Sequence, residues 1–117
     1  MRFLKKLKAV VSWLACAAPG LAMAGTSVTG HVKDLSIQKD FGTFVFIQLD
    51  TPQSSPIACH ANAGWTYTLP QQTDADKKIL ALLMMARALG QTVTLRGAGA
   101  CNEFGSIESA VGVDTYQ

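Results

Sequence analysis

Residues 73–95 read TDADKKILALLMMARALGQTVTL. Both ends of a helix are written into this stretch. Thr73 is a good N-cap residue, and Asp76, three positions on, holds the capping-box place. Asp74 and Asp76 sit where the positive end of the helix dipole favours acids. Gly90 supplies the left-handed residue on which helices commonly end. QTVTL then returns to a strand period, with Val93 and Leu95 on one face. A helix is therefore expected over 74–89. At 100° per residue, Ala75, Ile79, Leu82, Leu83, Ala86 and Leu89 share a face that should plug the open end of a barrel. Leu80, Met84 and Met85 lie mostly opposite. An exposed Leu-Met strip invites association, so these three are expected at an oligomer interface.

Upstream, Val28, Gly30 and Val32 alternate with polar residues, and Leu35 and Ile37 continue on the other phase. One extra residue near Lys33-Asp34, a β-bulge, explains the slip. KDFG at 39–42 is a turn. TFVFIQLD at 43–50 is apolar on both faces, with Phe44 and Phe46 on one and Val45, Ile47 and Leu49 on the other, so both faces should be covered. After a loop punctuated by Pro52 and Pro56, a third strand is expected through Ile57, Cys59 and Ala61, bent at Gly64 and carried on by WTYTL at 65–69. Pro70 ends it, having no N–H to give a ladder. Past the turn ACNEFGS at 100–106, Ile107, Val111 and Val113 pattern a last strand on one face. Three strands, a helix and two strands is the order of the OB-fold, a five-stranded Greek-key barrel with one helix between strands three and four. The expected fold class is β-rich α+β, one small OB-fold-like domain over 25–117.

The first 24 residues are set apart. MRFLKKLK is basic, AVVSWLACAA is apolar, and Ala22-Met23-Ala24 has the small-x-small form of a cleavage signal. A signal peptide over 1–24, cleaved after Ala24, implies export to the periplasm or beyond the cell. The apolar run is too short to span a bilayer, and no later stretch is long enough for stable membrane insertion. Four of the ten basic residues (Arg2, Lys5, Lys6 and Lys8) lie in this leader, leaving six against eight acidic residues. No Lys/Arg cluster then remains to read nucleic acid. Cys59 and Cys101 follow the leader, and in an exported chain an even pair is expected to be a disulfide.

Catalytic chemistry finds no constellation. His31 and His60 lack ligand spacing with any Cys or carboxylate pair, so neither a metal nor another cofactor is expected. Bridged cysteines are not nucleophiles. No G-x-S-x-G element is present, and GAGA at 97–100 opens no helix that could cradle a phosphate. The chain is not expected to be an enzyme. Binding is the better expectation. An OB-fold binds on the face of strands two and three and the loops beside it, which offers His60, Asn62, Trp65 and Tyr67. Aromatic rings stack on the apolar face of a sugar while Asn and His take its hydroxyls. The turn Asn102-Glu103-Phe104 is a second candidate.

A strand with a Cys, a segment containing Trp65, the helix DADKKILALLMMARALGQTVTL, then Cys101 and a short Ser106-Ile107 strand resemble the B subunits of pentameric A-B bacterial toxins. The helix start is similar to that of heat-labile enterotoxin B. The Cys-to-Trp segment and Gly90-Gln91-Thr92-Val93 look like subtilase cytotoxin B. The resemblance covers roughly residues 57–113. It implies a secreted, non-enzymatic OB-fold that assembles as a homo-oligomer, in that family a pentamer, and binds cell-surface glycans beside an A-type subunit. Two departures stand out. The enterotoxin pore helix is more polar than this one, and the Trp that stacks on sugar after the second Cys is absent, since Asn102, Glu103 and Phe104 follow Cys101. No binding residue is carried over from the family. The alternative is a free-standing periplasmic OB-fold module that binds a small ligand or an envelope protein.

Overall fold

Each strand of the molecule forms where apolar alternation meets a neighbour that can complete its ladder. The computed structural model describes residues 25–116; the expected leader lies outside them. The elements are β1 (Ser27–Ile37), β2 (Phe44–Leu49), β3 (Tyr67–Pro70), α1 (Asp74–Leu89), β4 (Thr92–Gly97) and β5 (Ala110–Tyr116). They build one antiparallel sheet in the order β3-β2-β1-β4-β5. The central strand is shared between two partners. Ser27–His31 pairs with β4, and Val32–Ile37 pairs with β2. The register slips between Val32 and Asp34, where the sequence predicts a bulge, and this is where β1 changes partner. A bulge bends the strand and increases its twist. The two outer strands are thereby brought near one another: Thr68 in β3 forms a parallel bridge with Ser109, and its N–H donates to the Glu108 carbonyl at 3.0 Å.

The alternation in β2 sorts its residues into two apolar clusters, as expected. Val45, Ile47 and Leu49 join Val28, Tyr67, Leu83 and Leu95 in the main core. Phe44 and Phe46 face the other way, against Ile107, Trp65 and Phe104. With both faces covered, every apolar residue of β2 is buried.

α1 runs over the predicted residues. The Thr73 hydroxyl accepts from Asp76 N–H at 3.1 Å, and the Asp76 carboxylate accepts from Thr73 N–H at 3.0 Å. Gly90 takes φ 68°, as the C-terminal cap requires. The face pressed on the sheet is narrower than the sequence suggests. Leu83 and Ala86 are fully buried, with Ile79 packed beside them. Leu82 and Leu89 are 40% and 65% exposed, and Ala75 is exposed too. Leu80, expected at an interface, is partly buried: it packs against the core and also lines a groove with Met84. On a small curved sheet only side chains near the contact direction are covered, here Leu83 and Ala86.

Two strand expectations are corrected. Residues 57–66 form no strand, and β3 begins only at Tyr67. Their backbone bonds go to a loop instead of a ladder: Ala61 and Asn62 both donate to the Ser106 carbonyl. The last strand does not carry Ile107, Val111 and Val113 on one face. Arg96 pairs with Gly112 but Gly97 pairs with Ala110, so Val111 is an extra residue and stands exposed. Ile107 belongs to the aromatic cluster and Val113 to the main core.

Cys59 and Cys101 are bonded, with Cα atoms 6.2 Å apart. They tie the 57–66 loop to the segment before β5. A bridge across 42 residues of sequence should contribute on the order of 4 kcal/mol. Intact-mass analysis should find two hydrogens fewer than the reduced mass, and reduction should lower the denaturation midpoint by a matching amount.

The cap generates a second prediction. Partial burial works to raise the Asp76 carboxyl, but the N–H groups of Thr73 and Gln72 and the Thr73 hydroxyl together hold it below its usual 3.8. A lowered folded-state value contributes stability above the ordinary carboxylate range that is lost as pH falls through the lowered value. Thermal melts between about pH 5 and about pH 2 should show this loss, and Asp76→Asn should reduce its size. Thr73→Ala should cost about 1 kcal/mol at neutral pH.

Candidate functional site

The loop between β2 and β3 has no ladder, so side chains and the neighbouring segment hold it. Thr66 anchors its end: its N–H donates to the Ile47 carbonyl and its hydroxyl accepts from Leu49 N–H. Gln53 reaches back with its Nε2, donating to the Thr66 carbonyl at 2.8 Å. Asn62 Oδ1 accepts from both Gly64 N–H and Trp65 N–H, each at 2.8 Å, an Asx-type turn that aims the indole. His60 Nδ1 accepts from the Glu108 backbone N–H at 3.0 Å. That bond fixes the tautomer of a neutral ring, with the proton on Nε2.

These constraints leave a particular set of groups for a ligand. A pocket of about 280 Å³ is lined by Pro52, Gln53, Pro56, His60, Asn62 and Trp65, among others. After its internal bonds are counted, His60 has the Nε2–H donor and Asn62 has its amide donors. Gln53 Oε1 is a buried acceptor without a hydrogen-bond partner. Two donor side chains beside an indole can take the hydroxyls and apolar face of a polyol. No Lys or Arg lines the pocket.

Trp65 and Asn62 also border a second hollow of about 350 Å³, shared with Phe41, Phe46, Phe104 and Ser36. Phe46 is the hub of its aromatic wall. Its ring centroid lies 5.4 Å from Trp65, 5.4 Å from Phe104 and 5.8 Å from Phe41. The contacts with Phe104 and Phe41 are edge-to-face and that with Trp65 is tilted. Aromatic pairs of this kind add roughly 0.5–1.5 kcal/mol each beyond burial. The two hollows thus share Asn62 and Trp65 in their linings, and the second is walled by aromatic rings.

Of the sequence candidates, His60, Asn62 and Trp65 meet in the first hollow, and Phe104 joins Asn62 and Trp65 in the second. Tyr67 is not at the surface. It is fully buried, with its hydroxyl 2.8 Å from Thr26 Oγ1. Burial pushes its phenol up to about 12, helped by the Glu108 carboxylate and opposed by the Thr26 bond. The period of β3 turns Tyr67 to the main core, opposite to the aromatic cluster. Asn102 and Glu103 line neither hollow. Asn102 donates its N–H to Ser109 Oγ, and Glu103 accepts from the Thr68 hydroxyl at 3.2 Å. Gln53, Phe41 and Phe46 escaped the sequence reading. Gln53 sits in a run that signals only a loop, and the other two read as a turn residue and a core residue.

The remaining histidine is elsewhere. His31 Nδ1 lies 3.1 Å from Asp50 Oδ2, and Asp50 Oδ1 accepts the His31 N–H at 2.8 Å. The backbone bond first, and the ring second, lower the Asp50 carboxyl. Both side chains are about half exposed, and neither lines the two hollows around Trp65. Among the described residues no group of three or more His, Cys, Asp or Glu is arranged to hold a metal.

No family model, no curated protein and no solved structure matches this chain.

The geometry of Asn62 makes a prediction that separates its two jobs. Asn62→Ala removes the acceptor of two N–H groups and should destabilise the fold by about 1–3 kcal/mol, read from denaturant unfolding. Asn62→Asp keeps both acceptor bonds and should leave stability near wild type, with the Trp65 emission unchanged.

Proposed function

We propose that this protein is an exported, non-enzymatic carbohydrate-binding subunit, an OB-fold of the kind found in the B subunits of A-B toxins. The observation that carries the reading is the pair of hollows that share Trp65 and Asn62. The indole offers a stacking face, while the His60 and Asn62 donors offer the directional bonds that hydroxyls need. The lining has no cationic side chain, so a neutral saccharide fits better than an acidic one. The OB-fold reading is supported by the helix between β3 and β4, by the sharing of β1 between β2 and β4, and by the approach of β3 to the segment before β5.

Assembly is part of the proposal. Leu82, Met85 and Leu89 recur along one flank of α1, with Met85 and Leu89 more than half exposed and Leu82 40% exposed, and Met84 is 57% exposed on another. Apolar surface of this extent on one helix is commonly covered. The interface is therefore assigned to Met84 and Met85 with Leu82 and Leu89 added and Leu80 removed. No helix among the described residues is long and apolar enough to cross a membrane. A homo-oligomer, a pentamer if the toxin resemblance extends to assembly, would present several glycan sites on one face. An A-type subunit would be its natural cargo.

Light scattering of the chain from Gly25 onward should give a multiple of the monomer mass, and a monomer at high concentration would remove the ring. On a glycan array the protein should retain neutral oligosaccharides. Trp65→Ala and Asn62→Asp should each weaken that retention at least tenfold without loss of fold. Retention of sialylated glycans alone would overturn the neutral-ligand assignment.

A further inference from the structure

The start of the described chain is held more firmly than a terminus needs to be. Thr26 donates its N–H to Glu108 Oε2 at 3.2 Å and its hydroxyl to Glu108 Oε1. Its carbonyl accepts from Gly97 N–H at 2.8 Å. Gly25 is wedged into the same corner: a Cβ there would overlap the Gly97 carbonyl and crowd Gly99 N. Only a residue without a side chain fits.

The group that receives Thr26 is itself unusual. Glu108 is fully buried, and Gly99 N–H is its third donor at 2.9 Å. No Lys, Arg or His side chain among the described residues forms an ion pair with it. Buried carboxylates are ordinarily matched by a cation as well as by donors. Consecutive backbone nitrogens are separated by no more than about 3.7 Å, so the Gly25 nitrogen lies within about 7 Å of Glu108 Oε2. In an uncleaved chain that nitrogen is a neutral amide. Hydrolysis of the Ala24–Gly25 bond by an export peptidase adds one water, leaving a carboxylate on Ala24 and an ammonium on Gly25.

We propose that Glu108 is a receptor for the new N-terminus: leader removal supplies the missing counter-charge to a carboxylate already buried beside Thr26. The precursor then folds with an unmatched anion at the corner where β1, β3 and the 97–99 turn meet, and is the weaker for it. The processed chain gains the pair. This inference rests on cleavage after Ala24 and is independent of the glycan reading.

Three chains test it: one beginning at Gly25, one beginning at Ala24, and the Gly25 chain acetylated on its α-nitrogen. The Gly25 chain should be the most stable, by roughly tenfold in its folding constant for each unit that its α-amino pKa is raised above about 8. The gain should be present below that pH and fade as pH rises through the raised value. In a Glu108→Gln background the three chains should be equally stable. Equal stability in the native background, or a difference that survives Glu108→Gln, overturns the proposal. Should Glu108→Gln fail to fold, NMR titration of the ¹⁵N-labelled α-amino group in the Gly25 chain decides. A raised pKa supports the pair and an ordinary one sinks it. An exported protein whose first residue is other than Gly25 also sinks it.

Discussion

Glu108 uses every polar atom it has. Its N–H donates to His60, its carbonyl accepts from Thr68, and its carboxylate gathers Thr26 and Gly99. One residue thereby fixes the candidate pocket, the approach of the outer strands, the entry to β1 and the turn after β4. The donors from Thr26 and Gly99 offset part of the cost of burying the carboxylate. The four features meet at this one residue. Gly97 shows how closely they fit, since a Cβ at that position would overlap the Glu108 carboxylate. The disulfide acts on the same two segments from outside, shortening the search that brings His60 to Glu108.

Legibility in the sequence followed the range of the interactions. The helix was readable to the residue, because a capping box and a left-handed glycine are local chemistry. So were the bulge in β1 and the two-sided burial of β2, which show as a phase slip and as unbroken apolarity. The third strand was misread because Ile57, Cys59 and Ala61 alternate correctly, yet their backbone partner is the Ser106 carbonyl in a loop, and nothing nearby in sequence announces that. The fifth strand was misread because a bulge at Val111 reverses its faces. For the helix, periodicity identifies the apolar residues but not how narrow the covered stripe is, so Leu82 and Leu89 stand exposed beside the buried Leu83 and Ala86.

The candidate site divides in the same way. His60, Asn62 and Trp65 were visible as polar and aromatic residues beside a strand. Their grouping follows from an Asx turn and a histidine bond, both short in range once the loop is closed. Gln53, Phe41 and Phe46 come from three different segments, and only the folded sheet sets them around Trp65. Tyr67 looks equivalent to Trp65 in sequence, since a continuous strand would put both on one face, but β3 begins only at Tyr67, and Trp65 is turned by the Asn62 loop to the other cluster.

The bond from Glu108 N–H to His60 has a consequence for how the site can change over generations. His60 contributes to the pocket and to the fold through one ring, so its replacement disturbs both at once. Gln53 is different, since its carbonyl oxygen is uncommitted and the loop around it has no ladder to break. The pocket thus has one side set by bonds that also hold the fold, those of His60 and the Asn62 turn, and another at Pro52, Gln53 and Pro56 that no strand ladder fixes.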